Sequence, residues 1–253
     1  MKKALLIGIN NYTQYPLRGC VNDVASMTSF LHTQNFDCIE SLLNEHATYA
    51  NIITALKKLI TEAKSGDIIF FHYSGHGAQI PDHNGSPDEA DGFDECICPA
   101  DVNFSMGRYI TDDQLRALFS KVAKGVNIEV VMDCCHSGTG LRDVNTTARF
   151  MPIPVEYIKR AKTITVVPST DNIILWAACL SNETAADVLI NAQFRGAFTF
   201  SLLRSMQQSG LKRVVIERNL QADIKANGWR QTPQLECAAA HYNKTFLNFG
   251  DQT

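Results

Sequence analysis

The sequence predicts an α/β domain with a mainly parallel central sheet of about six strands and helices on both faces. Three observations lead there. Apolar runs of strand length, KALLIGI (3–9), DIIFFHY (67–73) and IEVVMD (128–133), are continuous rather than alternating, as strands buried on both faces are. Segments with apolar residues at helical spacing lie between them, so strand and helix alternate along the chain. The 253 residues, 45% hydrophobic and 19% charged, suffice for a sizeable buried core.

The elements follow in order. KALLIGI is the first strand. Although it sits near the N-terminus, it runs straight into the polar NNYTQYPLRG without a small-residue cleavage site, which argues against a secretory signal. A helix starts at Asn22 or Asp23 and carries Val24, Met27, Phe30 and Leu31 on one face. FDCIESLL (36–43) is strand two, and the stretch 48–63 is a helix with Ile52, Ile53, Leu56, Leu59 and Ile60 inward. DIIFFHY and IEVVMD follow as strands. NIILWAAC (172–179), a helix around 197–208, another near 213–226 and a short strand near QLEC complete the pattern. Two segments interrupt it. Residues 79–101 hold seven acids in 23 residues with little periodicity, and residues 138–171 carry scattered basic residues; loops this long inside a domain are functional or disordered.

Composition narrows the function classes. The net charge of −3, with no basic stripe, excludes a nucleic-acid-binding surface, and no run approaches the ~18 apolar residues of a membrane span. The eight cysteines lack the spacing of a secreted disulfide framework or of a zinc site, so free thiols in a reducing cytoplasm are expected.

Two strands end on reactive groups. His76 lies just past DIIFFHY and Cys135 just past IEVVMD. Ligands of a parallel α/β sheet bind at the carboxyl ends of its strands, and neighbouring strands are about 4.8 Å apart. If these two strands pair, imidazole and thiol face each other across a cleft, as a cysteine nucleophile with its base requires. Gly75 and Gly77 flank His76, and Gly138 follows Cys135; they allow close backbone approach, and the N–H groups of Gly77 and Cys135 are candidates for an oxyanion hole. Spacing does not choose between Cys134 and Cys135, since only one of two adjacent side chains faces the cleft.

YSGHG (73–77) and DCCHSG (133–138) resemble the histidine and cysteine motifs of metacaspases, caspase-like cysteine peptidases. ALLIGINNY (4–12), LRGCVNDV (17–24), DEADGFDE (88–95), ITDDQL (110–115), ETAAD (183–187) and GAFTFSLL (196–203) agree with that family over nearly the whole chain. The resemblance implies a caspase-like fold with a large-subunit-like part (1–140), a linker loop (141–170) and a small-subunit-like part (171–253), in bare catalytic form without a prodomain or C-terminal module. It implies that His76 is the general base and Cys135, directly preceding His-Ser-Gly, the nucleophile. Cys20, Asp23, Ser74 and Asp133 match positions lining the family's S1 pocket, which implies cleavage of peptide or protein substrates after Arg or Lys. The charges of Asp23 and Asp133 at one sheet edge favour such a side chain on physical grounds; on the residues alone Asp23 reads equally as a helix N-cap.

The resemblance further implies Ca²⁺ bound by the acidic loop. Asp91, Asp112 and Asp113 match the ligand positions, and Asp143 is the acid nearest the expected fourth, one residue out of register. No organic cofactor is expected, and the family implies a monomer. An enzyme cutting after basic residues has targets in its own loop at Arg142, Arg149, Lys159, Arg160 and Lys162. A catalytically inactive regulatory or binding module of the same fold is the rival reading.

Overall fold

The computed structural model describes residues 1–36, 38–81, 93–136, 146–153, 172–180, 183–208 and 210–249. Five strands run parallel in its central sheet: β1 (Lys2–Gly8), β2 (Cys38–Leu43), β3 (Ile68–Ser74), β7 (Asn127–Asp133) and β9 (Ile173–Ala177). A sixth, β12 (Gln234–Glu236), is antiparallel to β9, giving the order β12-β9-β7-β3-β1-β2. The expected six-stranded, mainly parallel sheet is present.

Alternation along each strand sends side chains to two separate cores. Leu5, Ile7, Ile69, Phe71, Ile128 and Val130 belong to one, with Ile52, Leu56, Leu59 and Ile60 of α2 (Tyr49–Thr61) and Leu115, Leu118 and Phe119 of α3 (Asp112–Phe119). Leu6, Phe70, Val131 and Trp176 belong to the other, with α1 (Cys20–Thr33), α4 (Ala197–Ser205) and α5 (Arg213–Ala226). Helices therefore cover both faces, which is why the strands read as unbroken apolar runs. Local signals set the helix starts: the Thr48 side chain accepts from the N–H of Asn51, and Thr111 forms a capping box with Gln114. A buried ion pair interrupts the second core. Arg213, fully buried, reaches Glu129 at 2.7 Å, and Glu129 also accepts from Trp176 Nε1 at 2.7 Å.

The acidic stretch 79–101 is not wholly aperiodic, as its sequence suggested. It contributes β4 (Gly77–Pro81) and β5 (Phe93–Ile97), which pair antiparallel and join β6 (Ile110–Thr111) in a small second sheet. The basic stretch likewise contains β8 (Thr146–Ala148). It lies beside β10 (Ala186–Ile190), which pairs with β11 (Gln193–Gly196) in a third sheet. These strands are too short for a periodicity to show. Among the described residues no helix is long and apolar enough to cross a membrane.

Candidate active site

β3 and β7 are neighbours in parallel register, with Ser74 opposite Asp133. His76 and Cys135 each lie two residues beyond those partners, so the expected pairing brings their segments to one edge of the sheet. Both residues are fully buried.

His76 is fixed on every side but one. Its N–H donates to the Tyr12 hydroxyl at 3.0 Å, its carbonyl accepts from the Tyr73 hydroxyl at 2.7 Å, and its ring lies 4.6 Å from that of Tyr12. The Nε2 atom is 2.6 Å from the carbonyl oxygen of Tyr15. A carbonyl only accepts, so Nε2 carries the ring proton and Nδ1 holds the free lone pair. That Nδ1 is buried with no hydrogen-bond partner. Burial lowers the imidazole pKa to about 4, against smaller upward pulls from the backbones of Tyr15 and Arg149. Gly75 serves the same packing: a Cβ there would stand 2.6 Å from the Tyr73 hydroxyl and 2.7 Å from that of Tyr12.

The Cys135 thiol is pushed up to about 12 by burial, with the backbones of Ala185 and Arg149 and the Arg149 charge opposing. The backbone of Arg149 thus bears on both reactive groups. Its carbonyl oxygen accepts from the N–H of Gly77 at 3.0 Å and from the N–H of Cys135 at 3.3 Å. These are the two donors expected of an oxyanion hole, and they converge on one oxygen of this chain.

The Arg149 side chain is also buried, and it is gripped at both ends. Nη2 lies 2.7 Å from Asp23 and 3.0 Å from Asp187; Nη1 lies 3.1 Å from Asp133 and donates to the Ser74 hydroxyl at 2.7 Å. Each carboxylate has its own support. Asp23 accepts from the N–H of Gly196, Asp133 from the N–H and hydroxyl of Thr199, and Asp187 from the N–H groups of Arg18 and Gly19. Burial raises Asp23 to about 6, with Arg149 opposing and Asp133 adding to the rise. Burial works against the Arg149 charge, yet Asp133, Cys20, Asp23 and Asp187 outweigh it and hold that pKa well above the usual range. Cys20, fully buried beside this network, has its thiol raised by burial. Asp23 is not the N-cap of α1: the helix starts at Cys20, and the cap residue is Gly19.

The model of the metacaspase peptidase C14 domain matches residues 2–144, more than half the chain and including His76 and Cys135. The chain belongs to the metacaspase family. It is similar to Metacaspase-1 of Botryotinia fuckeliana, at 32% identity over 94% of this chain and 68% of that protein. Metacaspase-1A of Aspergillus terreus is 31% identical over 94% of this chain and 70% of its own length. Among solved structures, protein GSU0716 from Geobacter sulfurreducens superposes with a TM-score of 0.72 at 27% identity, covering 96% of this chain and 97% of that one. This metacaspase accordingly has the caspase-like fold, and its family is one of cysteine peptidases acting on proteins.

The remaining expected residues fall on both sides of the description. Cys134 points away from Cys135: it belongs to the first core and Cys135 to the second, and its sulfur is 3.9 Å from His136 Nε2. Asp112 and Asp113 open α3 and both pair with Arg116, and Asp112 Oδ1 is buried without a hydrogen-bond partner, an oxygen whose chemistry fits a hard cation. Among the described residues no group of three or more acids, histidines or cysteines is placed to hold a metal, and Asp91 and Asp143 lie outside the described residues. So do Arg142, Lys159, Arg160 and Lys162. Two participants were not identified from the sequence. Asp187, the third carboxylate on the guanidinium, closes the motif ETAAD, and that acid was its only signal. The Tyr15 carbonyl that orients His76 belongs to the main chain, and no side chain announces it; the positive φ of 57° at Tyr15 is a property of the fold.

Proposed function

We propose that this metacaspase is an endopeptidase with a Cys135–His76 dyad that cuts after Arg or Lys, and that Arg149–Phe150 is a bond it cuts in itself. One observation carries the reading: Arg149 places its guanidinium among Asp23, Asp133, Asp187 and Ser74 while its carbonyl oxygen rests on the N–H groups of Gly77 and Cys135. A substrate held for acyl transfer needs both contacts at once. Burial keeps the thiol near 12 and the imidazole near 4, so the resting pair is neutral, with the proton on sulfur.

In the proposed reaction His76 Nδ1 takes the Cys135 proton as the sulfur attacks the carbonyl carbon after the basic residue. The oxyanion is held by the two N–H groups. Collapse breaks the C–N bond, His76 returns the proton to the leaving amine, and a thioester remains. Water, deprotonated by His76, then hydrolyses the thioester to a carboxylate and the free thiol.

Calcium belongs to the same proposal as an activator. Asp112 and Asp113 would hold it from the described side, with Asp91 and Asp143 as the further carboxylates, and Arg116 would have to release them. The ion would order the acidic loop and take no part in the acyl transfer. The chain is taken to work as a single-domain monomer, divided into large- and small-subunit-like parts around the 141–170 linker; its eight unpaired cysteines suit a reducing cytoplasm.

The test is a fluorogenic peptide ending in Arg, assayed with and without Ca²⁺. Turnover by the wild type and Cys134→Ala, abolished in Cys135→Ala, is expected, together with a self-fragment ending at Arg149 on mass spectrometry. No turnover of any basic peptide under either condition would leave the inactive binding module as the better reading.

A further inference from the structure

The chain does not stop at Arg149, and neither do its contacts. On the N-terminal side the segment is an added strand: Ala148 pairs antiparallel with Ala186, Thr147 with Asp187, and the N–H of Arg149 donates to Ala185 at 3.0 Å. On the C-terminal side it changes partner. Phe150 bridges Gly77 in parallel sense, and the N–H of Met151 donates to the carbonyl of Gly77 at 2.8 Å. Gly77 therefore donates to the carbonyl oxygen of Arg149, on one side of the Arg149–Phe150 bond, and accepts from the N–H of Met151, the second residue beyond it. The side chains alternate accordingly. Met151 is 5% exposed and belongs to the core that holds Ala78, Ile80 and Cys134, whereas Phe150, partly buried, packs on the opposite core with Cys135.

We infer that the peptidase reads its substrate on both sides of the cut: beyond the basic residue it has a second apolar subsite, now filled by Met151, that selects an unbranched or aliphatic side chain two positions after the scissile bond. The inference rests on the reading that Arg149 is seated as a substrate. The substrate class it names is an extended segment with a small residue before Arg and two apolar residues after it, as in Ala148-Arg149-Phe150-Met151. Two features make the site a recognition element. The backbone of Gly77 fixes the chain direction on the leaving side, and the buried Met151 position admits no charge without leaving it unsolvated. Short amides lacking residues after Arg would forgo this binding.

The experiment uses the self-processed, calcium-supplied full chain and internally quenched peptides of sequence Thr-Thr-Ala-Arg-Phe-Met-Pro-Ile, with Met replaced by Leu or by Asp. The expected result is similar kcat/KM for Met and Leu and at least a tenfold loss for Asp, all cleaved after Arg. The free peptide Phe-Met-Pro-Ile-amide should also inhibit hydrolysis of a short arginyl substrate competitively, and its Asp counterpart should not. Cleavage after Arg with Met, Leu and Asp equal within twofold, or inhibition by neither short peptide, overturns this inference and leaves the proposed function standing. Absence of cleavage after Arg in every peptide overturns both.

Discussion

The guanidinium of Arg149 lies 2.7 Å from the carboxylate of Asp23, and neither residue is more than 1% exposed. A charge taken this far from water is tolerable only when paired, and here one cation answers Asp23, Asp133 and Asp187 together. The strand that carries the arginine is thereby tied to the sheet edge, and its backbone closes over His76 and Cys135. The contacts proposed to recognise a basic residue are the same ones that hold this strand, through the Arg149 carbonyl, on the N–H groups of Gly77 and Cys135.

Removing that cation strands three buried carboxylates. Arg149→Ala, made in a Cys135→Ala background so that no self-cleavage intervenes, should lose about 3–5 kcal/mol in urea unfolding. The cavity it leaves is shaped for a guanidinium, so millimolar agmatine should raise the melting temperature of the variant and leave that of the parent unchanged. A loss under about 1 kcal/mol with no response to agmatine would mean that the carboxylates are solvated or protonated at little cost.

The same geometry separates the two basic residues. Nη2 spans Asp23 and Asp187 while Nη1 reaches Asp133 and the Ser74 hydroxyl, so the grip is on a planar fork. A lysine ammonium is a single point on a flexible stem and cannot meet both ends. Paired substrates differing only at that position should show kcat/KM at least tenfold higher for Arg, about 1.4 kcal/mol in transition-state binding. Asp187→Asn should narrow the gap. Equal rates for the two substrates would contradict the fork.

Much of this is legible in the sequence, and the division follows physical lines. Long buried strands declare themselves as apolar runs, so the sheet edge holding His76 and Cys135 was predictable from the positions of two strand ends, whereas not every helix start was: α1 begins at Cys20 rather than at Asn22 or Asp23, and the short α3 was not read at all. The pairing of Ser74 with Asp133 then follows from register alone. Arg149 was visible only as one of five basic residues in a long loop, because what distinguishes it is a three-residue strand, β8, with no periodicity to read. Asp187 is brought to Asp23 by the third sheet, whose strands are three to five residues long. The Tyr15 carbonyl has no sequence signature at all.

The tyrosines around His76 should prove structural in a way that can be measured. The Tyr12 hydroxyl accepts the N–H of His76, donates to the carbonyl of Cys98 at 2.8 Å and lies 3.1 Å from the Tyr73 hydroxyl, all within the core. Tyr12→Phe keeps the ring but leaves the His76 N–H buried without a partner, which costs about 1–3 kcal/mol. Tyr15→Ala is the contrast. Its side chain is largely exposed and its contact to Nε2 is through the main chain, so the loss should stay within about 0.5 kcal/mol. Urea unfolding of both variants at neutral pH in the Cys135→Ala background decides the matter; equal losses would show that the hydroxyl network carries no special weight.

Acid should weaken the fold through His76. Its folded-state pKa, about 4, is below the ordinary 6.5, so between those values the unfolded chain binds a proton that the folded chain refuses. The stability that the neutral imidazole contributes is complete above pH 6.5 and is lost as pH falls toward 4. At pH 5 the loss amounts to about 2 kcal/mol, at 1.36 kcal/mol for each unit between 6.5 and 5. Asp23 acts in the opposite direction. Raised to about 6, it holds a proton in the folded state that the unfolded chain has released, so it adds stability as pH falls through that range and masks part of the histidine effect. Comparing the Cys135→Ala protein with Cys135→Ala/His76→Asn removes the Asp23 contribution, which both share. The difference in unfolding free energy between pH 7.5 and pH 5 should be about 2 kcal/mol larger in the protein that retains the histidine. If the two proteins lose stability in parallel, the imidazole is not shielded from protons by the strand of Arg149, and the closed site described for the resting chain is wrong.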